Sequence, residues 1–164
     1  MLKEEAKPKV QRLRRLGNIQ REALHEEVTK LLEAGFIYPV IESEWVSPVV
    51  ITPKKNGKLK VCVDYKPLNS ATKRDHYPLP FQDEILNQVA GHEHYSIMDG
   101  FSRHFQIPIA EEDQLKTPFI TPWGCYAYRQ MPFGLMNAYA TFQRWMNKVF
   151  APYLGKFKIG RAHV

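Results

Sequence analysis

Residues 95–102 read Tyr-Ser-Ile-Met-Asp-Gly-Phe-Ser and form the most informative stretch of the sequence. The segment from His94 to Met98 predicts a short buried strand, and Asp99 follows it directly. A carboxylate at the end of an apolar strand is costly to bury unless it is hydrogen-bonded, paired or bound to a metal ion. The pattern alone leaves two interpretations open: Asp99 is a cap or turn residue, or it is a functional carboxylate.

The residues before this strand predict a helix and then a β-rich stretch. Asn18 is a favoured N-cap, Gly35 is a favoured helix end, and apolar residues recur between them at helical spacing. These apolar residues are Leu24, Val28, Leu31 and Leu32. The segment from Val46 to Thr52 predicts a strand, in which Pro48 indicates a sheet edge or a strand start. Residues 1–17 predict an extended lead-in.

A hairpin is predicted at Asn56-Gly57, because this pair is typical of a two-residue turn between strands. In the strand that follows, apolar residues alternate with lysines. The hairpin therefore places four lysines close together, Lys54, Lys55, Lys58 and Lys60. Two interpretations stay open: a cationic surface that binds a polyanion, or an edge strand whose charges resist aggregation.

The remaining elements are also short. After a break at residues 75–80, a brief helix is predicted with Phe81, Ile85 and Val89 on one face. Extended structure is predicted from Phe105 to Ile109, and a second hairpin at residues 122–124. A final helix is predicted to start near Asn137 and to end or kink at Pro152; it carries Phe142, Met146, Val149 and Phe150. Taken together, the predicted elements indicate an α+β fold rather than a regular βαβ alternation.

The charges are segregated along the chain, whose net charge is +6. Residues 54–74 hold seven basic residues and one aspartate, residues 83–113 hold seven acidic residues and one arginine, and residues 114–164 hold seven basic residues and no acid. If these blocks fold together, a cluster of carboxylates is surrounded by basic residues. That arrangement suits a polyanion whose phosphate is handled by a carboxylate-bound metal ion; scattered surface charge is the alternative.

Composition restricts the class of protein. In 164 residues, 44% hydrophobic and 12% aromatic residues argue against a fully disordered chain. Two cysteines cannot build a disulfide framework, which favours a reducing intracellular setting. No apolar run is long enough to span a bilayer, and no signal-peptide core follows Met1, so no membrane partner is expected.

Several segments, in order, resemble the reverse transcriptase of gypsy-type long-terminal-repeat (LTR) retrotransposons. The similar segments lie at residues 31–37, 45–49, 61–69, 78–80, 98–102, 106–109, 131–135 and 140–143, and among them residues 61–69 read Val-Cys-Val-Asp-Tyr-Lys-Pro-Leu-Asn. The resemblance runs from about Leu2 to Phe157. It implies the fingers and a partial palm of a right-hand polymerase across residues 18–157, with palm pieces at about 76–106 and 144–157.

The resemblance also implies a chemistry: nucleotidyl transfer from a dNTP to the 3′-hydroxyl of a DNA primer on an RNA or DNA template. In the family two Mg²⁺ ions, or Mn²⁺, clamp the attacking and leaving oxygens, and such hard cations prefer carboxylates. By resemblance Asp99 is the catalytic, metal-binding aspartate and the Gly100 carbonyl is a further metal ligand. The implied nucleotide-binding residues are Lys54, Lys55, Lys60, Phe101, Ser102, His104 and Phe133, and the implied template-binding residues are Lys66, Asn69 and Gly134.

In the family this polymerase is part of a Pol polyprotein that also contains protease, RNase H and integrase. The resemblance therefore implies a cytoplasmic location, within a virus-like particle. None of those other parts is present in the sequence.

The family's other two metal-binding aspartates come from a Tyr-x-Asp-Asp hairpin, whereas this sequence has no Asp or Glu after Asp113. Residues 158–164 instead read Lys-Ile-Gly-Arg-Ala-His-Val, which resembles a translated sequencing-adapter oligonucleotide. We therefore expect residues 158–164 to be a non-native tail; a natural basic C-terminus is the alternative. Because one aspartate cannot hold two metal ions in the required geometry, we expect the chain as given to lack polymerase activity.

Three residues depart from the family pattern. His104 stands where the family has an aromatic residue that would clash with a ribose 2′-hydroxyl, so the resemblance implies weaker exclusion of ribonucleotides. Arg103 stands where the family usually has Gly and adds a charge near Asp99. Tyr139 stands where the family usually has Pro.

Other patterns have a functional and a structural interpretation. The pair His92-x-His94 has no thiolate or carboxylate partner at zinc-like spacing, and the run Glu111-Glu112-Asp113 is either a metal cluster or a solvated turn. Aromatic residues able to stack on bases or to pack in the core are Trp123, Tyr126, Tyr128 and Trp145.

Two further hypotheses compete with a polymerase fragment. One is a non-catalytic basic module that binds nucleic acid through the lysine hairpin. The other is an unstable fragment with exposed sheet edges.

Overall fold

A computed structural model of the chain describes residues 1–153 apart from 56, 79–80, 82, 84–85, 88–89, 92–93 and 95–102. The chain divides into two compact units. The first comprises Met1–Arg74 with His104–Ala138, and the second comprises Asp75–Arg103 with Tyr139–Val164. Within the described residues, no helix is long and apolar enough to cross a membrane.

A five-stranded sheet forms the framework of the first unit. In chain order its strands are β1 (Ile37–Val40), β2 (Ser47–Pro53), β3 (Leu59–Val63), β4 (Phe119–Thr121) and β5 (Gly124–Tyr128). Across the sheet the order is β1-β5-β4-β2-β3, with β2 and β4 parallel and the other neighbours antiparallel. Helices together with this mixed sheet confirm the predicted α+β class.

Strand β2 lies inside the sheet, between β4 and β3, so the edge position that Pro48 indicated is wrong. The alternative of a strand start is confirmed, because Pro48 is the second residue of β2. Proline has no N–H, but the sheet loses little hydrogen bonding at this position. The hydrogen bond toward β4 is made by the preceding residue, because the Ser47 N–H donates to the Pro118 carbonyl at 2.9 Å. The Pro48 carbonyl in turn accepts the Asp64 N–H at 2.9 Å.

The first hairpin joins β2 to β3, but its connection is longer than the two-residue turn that Asn56-Gly57 predicted. The last paired residues are Pro53 and Leu59, and the connection is closed by the Lys54 N–H, which donates to the Lys58 carbonyl at 2.7 Å. Gly57 has a φ of +76°, which an L side chain rarely adopts. Strand β3 is an edge strand of the sheet, as one of the two interpretations of its lysines required.

The second hairpin matches its prediction. Strands β4 and β5 pair from Phe119–Tyr126 to Thr121–Gly124, so Pro122 and Trp123 form the turn. The Thr121 hydroxyl closes it, because it donates to the Gly124 carbonyl at 2.9 Å and accepts the Trp123 N–H at 3.2 Å.

Helix α1 (Asn18–Glu33) packs its apolar stripe on the sheet. The buried residues are Leu24, Val28 and Leu31, which join Ile37, Val49, Phe119 and Tyr128 in one hydrophobic cluster. Burial of each such side chain stabilises the fold by about 1.5–3 kcal/mol. The cap differs from the prediction: the N-cap position is Gly17 rather than Asn18, and the Gln20 side chain accepts the Gly17 N–H at 3.0 Å. Leu32, at 36% exposure, lies at the margin of the stripe.

A second cluster lies where β3 leads into the short helix α2 (Lys66–Ala71). It contains Trp45, Tyr65 and Leu68, all buried. The N-terminal lead-in pairs with both sides of this region. Leu2 forms an antiparallel bridge with Thr72, and Val10 forms a parallel bridge with Val46.

Residues 103–114 contain two short elements, the first of which overlaps the segment at residues 105–109 that the sequence predicted to be extended. A 3₁₀ helix covers Arg103–Gln106, and helix α3 covers Glu111–Gln114. The extended prediction for residues 105–109 is therefore wrong at its start, and only Pro108 makes a sheet-like bridge, with Gln130. Within the 3₁₀ turn the Phe105 ring stacks on the Phe36 ring, with the ring centres 5.0 Å apart.

Helix α4 (Ala138–Phe150) is followed by a 3₁₀ turn at Ala151–Tyr153, so it ends before Pro152 as predicted. In the second unit, Arg144 of α4 donates to both carboxylate oxygens of Asp75, at 2.9 and 2.7 Å. The same guanidinium lies 4.7 Å from the centre of the Tyr77 ring, and Asn147 donates to the Tyr77 hydroxyl at 2.8 Å. These contacts attach residues 75–77 to α4.

Several predicted elements fall on residues outside the described ones. They include the strand ending at Asp99, except for His94, and much of the helix predicted after residue 80. In that helix Asp83, Leu86 and Asn87 are helical. Phe81, just before them, is 73% exposed.

Candidate functional site

Helix α2 and the loop at residues 133–136 are joined by one amide side chain. Asn69 donates from Nδ2 to the Gly134 carbonyl at 2.7 Å, and its Oδ1 accepts the Met136 N–H at 2.8 Å. Two of the residues that the resemblance assigned to the template, Asn69 and Gly134, are thus in direct contact. The geometry gives Asn69 a structural role, which is to hold the loop in place; its predicted template contact stays a prediction.

The backbone conformation of the loop favours glycine at position 134. Its φ is +97°, a conformation that L side chains rarely adopt. A Cβ at this position would be in ordinary van der Waals contact, 3.5 Å from the Tyr65 ring and 3.5 Å from the Val63 carbonyl. The backbone of the loop therefore packs directly on the junction between β3 and α2.

Tyr65 anchors this junction to the sheet. Its buried hydroxyl donates to the Thr117 carbonyl at 2.8 Å, and burial raises its pKa well above the ordinary value, with a smaller contribution from Tyr128. The Thr117 hydroxyl continues the network, since it accepts the Tyr128 N–H at 3.0 Å and donates to the Gln114 carbonyl at 2.7 Å. The tyrosine is therefore neutral and its hydrogen bond fixes the start of α2.

Asp64 orients the first residue of α2, Lys66. Its Oδ1 accepts the Lys66 N–H at 3.3 Å, and its Oδ2 accepts from Arg14 at 2.6 Å. The Asp64 side chain is 14% exposed, whereas Lys66 is exposed to solvent. Sequence reasoning missed Arg14, because an ion pair between residues fifty positions apart leaves no local signal.

The nucleotide-side candidates Phe133 and His104 also meet. Their rings lie 4.5 Å apart at an interplanar angle of 66°, an edge-to-face contact. His104 is 1% exposed, while Phe133 is 45% exposed. The partly exposed Phe133 ring thus covers the buried histidine. Phe105, beside it, belongs to the core, where it stacks between Phe36 and Tyr128.

The three hairpin candidates Lys54, Lys55 and Lys60 are all exposed. Lys60 lies opposite Thr52 on the edge strand β3, and β3 continues through Asp64 and Tyr65 into α2. Exposed lysines on an edge strand satisfy both interpretations of the hairpin, since they deter strand pairing and present charge to a polyanion.

Asp99, Gly100, Phe101 and Ser102 lie outside the described residues, so their predicted roles stay predictions. Among the residues that the structure does describe, no group of three or more His, Cys, Asp or Glu side chains is placed to hold a metal ion. The acidic run at 111–113 forms the single turn of α3, where Asp113 pairs with Lys116.

The other aromatic candidates differ in their burial and in the rings that they contact. Tyr126 and Tyr128 pack against Phe119, with ring centres 6.0 and 5.2 Å away, which supports their core interpretation. Trp123 is 43% exposed and contacts His25 edge to face at 4.9 Å. Trp145 lies 6.2 Å from Phe142.

Comparisons with known proteins agree with one another. A family model described as reverse transcriptase (RNA-dependent DNA polymerase) matches residues 52–163. The chain is 39% identical over 138 residues to the retrovirus-related Pol polyprotein from transposon 297 of Drosophila melanogaster, a match that covers 81% of the chain and 13% of the relative. It is 35% identical over 130 residues to the transposon Tf2-3 polyprotein of Schizosaccharomyces pombe, covering 78% of the chain and 10% of the relative.

Among solved structures, the foamy viral protease-reverse transcriptase in complex with an RNA/DNA hybrid has a TM-score of 0.82 at 18% identity, covering 90% of this chain and 20% of that one. At that identity the likeness shows the fold alone. The chain spans about an eighth of the length of the curated relatives it matches. Because the family model matches most of the chain, from residue 52 to residue 163, the chain belongs to the reverse transcriptase family, the RNA-dependent DNA polymerases.

Proposed function

We propose that this chain is the fingers and part of the palm of the RNA-directed DNA polymerase of a gypsy-type LTR retrotransposon. Its substrates would be a dNTP and a DNA primer paired to an RNA or DNA template. The observation that supports this most directly is the pair of hydrogen bonds by which Asn69 holds the loop at residues 133–136. The two bonds join the template-side candidates Asn69 and Gly134 and hold the loop that also carries Phe133. The names of the Drosophila and yeast relatives support the retrotransposon origin.

Each candidate side chain has a role in this proposal. Lys54, Lys55 and Lys60 attract the triphosphate through charge, without the bidentate geometry that Arg would give. Lys66 binds a template phosphate, while Asn69 and Gly134 shape the surface on which the templating base lies. Phe133 covers His104 and packs near the incoming nucleotide.

The metal-binding part of the proposal rests on donor chemistry. The Asp99 carboxylate and the Gly100 carbonyl are hard oxygen donors of the kind that Mg²⁺ or Mn²⁺ takes. When bound, two such ions lower the barrier by stabilising charge on the attacking and leaving oxygens. Since the sequence has no Asp or Glu after Asp113, we also propose that these 164 residues alone do not extend a primer.

The same chain would then act by itself as a basic module that binds nucleic acid. The exposed lysines of the hairpin support this second candidate. In the intact polyprotein, the protease, RNase H and integrase would accompany it, in a cytoplasmic virus-like particle.

Binding of the chain to an RNA/DNA hybrid, measured by fluorescence anisotropy over a salt series, tests the proposal. We expect the variant K54Q/K55Q/K60Q to bind more weakly and with a shallower salt slope than wild type. The matched control is R12Q/R21Q/K30Q, which removes the same charge from exposed positions elsewhere. Equal losses in both variants would contradict the assigned surface, and primer extension by the chain in Mg²⁺ would contradict its inactivity.

A further inference from the structure

A short two-stranded ladder connects the 3₁₀ turn to the loop at residues 133–136. Two backbone hydrogen bonds hold it together. The Ile109 N–H donates to the Arg129 carbonyl and the Met131 N–H donates to the Ile107 carbonyl, each at 2.8 Å. The turn comes directly before one strand of this ladder and the loop follows the other strand closely. The ladder therefore limits how far the turn and the loop can move apart.

The side chain of Gln130, in the middle of this ladder, makes two further hydrogen bonds. Its amide nitrogen donates to the Ile107 carbonyl at 3.1 Å and to the Phe105 carbonyl at 3.3 Å. The reverse orientation of the amide would place its oxygen against acceptors and its nitrogen against donors, so it would satisfy neither atom. Because Phe105 belongs to the 3₁₀ turn, the bond to its carbonyl ties the turn itself to the ladder.

The turn and the loop each supply one ring of the edge-to-face contact between His104 and Phe133. His104 lies in the turn, and Phe133 lies three residues after Gln130. The His104 carbonyl accepts the Ile107 N–H at 3.0 Å, so a displacement of the turn would move the histidine with it. Gln130 thus bonds to the turn from the segment that leads to Phe133, and the spacing of these two segments sets the ring contact.

We propose that Gln130 is a positioning residue of the polymerase. Its amide holds the turn at the spacing at which Phe133 covers His104, and this keeps the nucleotide-side surface in the shape that accepts a dNTP. Gln130 acts through the two rings and does not itself touch the nucleotide. This inference rests on the proposed function. Without the amide the turn keeps the ladder but loses its own attachment to it, so the ring contact loses its fixed geometry.

Two substitutions at position 130 separate hydrogen bonding from shape. Gln130→Glu has nearly the same shape but its carboxylate has no N–H to donate, whereas Gln130→Arg keeps N–H donors. The matched control is Gln114→Glu, because Gln114 donates from Nε2 to the Ile109 carbonyl at 3.1 Å, beside the turn but outside it. We expect Gln130→Glu to make hydrogen exchange at the Ile107 amide about 5- to 30-fold faster. Gln130→Arg should restore the protection and the control should not change it.

A role in nucleotide binding predicts effects that a contribution to stability alone would not produce. In the wild-type chain, nuclear magnetic resonance should show contact between the ring protons of His104 and Phe133, and Gln130→Glu should shift the His104 ring signals. Equilibrium dialysis with a labelled dNTP should show a loss of affinity in Gln130→Glu and its recovery in Gln130→Arg. Gln114→Arg controls for the added charge. Affinity for the RNA/DNA hybrid should stay the same in all these variants.

The outcomes distinguish this inference from the proposed function. If the wild-type chain binds no dNTP, the proposed function fails. If the wild-type chain binds a dNTP and Gln130→Glu binds it equally well, the positioning role alone fails. Absence of the ring contact in the wild-type chain, a measurement that needs no variant to fold, would also overturn the positioning role. Equal losses of dNTP affinity in Gln130→Glu and Gln114→Glu would show a general loss of stability instead.

Discussion

The substitution Asn69→Ala isolates the contact on which the proposed surface depends. It removes the hydrogen bond to the Gly134 carbonyl at 2.7 Å and the bond from the Met136 N–H at 2.8 Å. A typical bond of this kind contributes about 0.5–1.5 kcal/mol to stability. Because both lie in an exposed setting, where water replaces part of the lost bonding, we expect a total loss of about 1–2 kcal/mol.

Hydrogen exchange at the Met136 amide measures this loss locally. A cost of 1–2 kcal/mol corresponds to exchange that is about 5- to 30-fold faster, and affinity for the hybrid should fall in parallel. The control is Ser70→Ala on the same helix, since the Ser70 hydroxyl donates to the Pro67 carbonyl within α2. Unchanged protection of Met136 in the Asn69 variant would refute the reasoning that this side chain holds the loop.

Three further substitutions test the scaffold. Gly134→Ala forces an L side chain to a φ of +97°, and we expect it to cost about 1–3 kcal/mol in urea unfolding; full stability would show that the loop simply shifts. Leu24→Ala, in the fully buried position of α1, should cost about 2–5 kcal/mol in the same assay, and a loss under 1 kcal/mol would contradict its place in the core. The hydrogen bond from Arg144 holds the pKa of the Asp75 carboxyl below its ordinary value in the folded protein. The ionised carboxylate therefore stabilises the fold at pH values above the pKa that Asp75 has in the unfolded chain. This stabilisation is lost as the pH falls through the lower pKa of the folded state. Asp75→Asn should therefore be less stable than wild type at about pH 7 and equally stable at about pH 2, whereas a difference independent of pH would point to packing instead.

Local patterns predicted the elements whose determinants are close in sequence. Helix α1 follows from the spacing of Leu24, Val28 and Leu31, and the β4–β5 hairpin follows from its turn residues. The interior position of β2 was not predictable in this way. It depends on parallel pairing of Ser47 with Phe119, and nothing near either residue encodes that partner.

In the candidate site, too, some features were predictable from the sequence and others were not. The resemblance proposed Asn69 and Gly134 as template contacts, and the structure shows that they also bond each other. Neither the spacing nor the resemblance indicated Arg14, whose ion pair with Asp64 brings together residues from either side of α1 and the first hairpin.

The position of β1 in the sheet has a consequence for how the protein is made. Its partner is β5, and Ile37 pairs with Tyr128, about ninety residues later in the chain. At a synthesis rate of about 5–20 residues per second, β1 waits roughly 5–20 seconds on the ribosome before its partner strand is made. Pairing across so long a stretch also slows folding. Nascent chains of this protein should therefore be chaperone clients, and pausing ahead of codon 124 should increase aggregation.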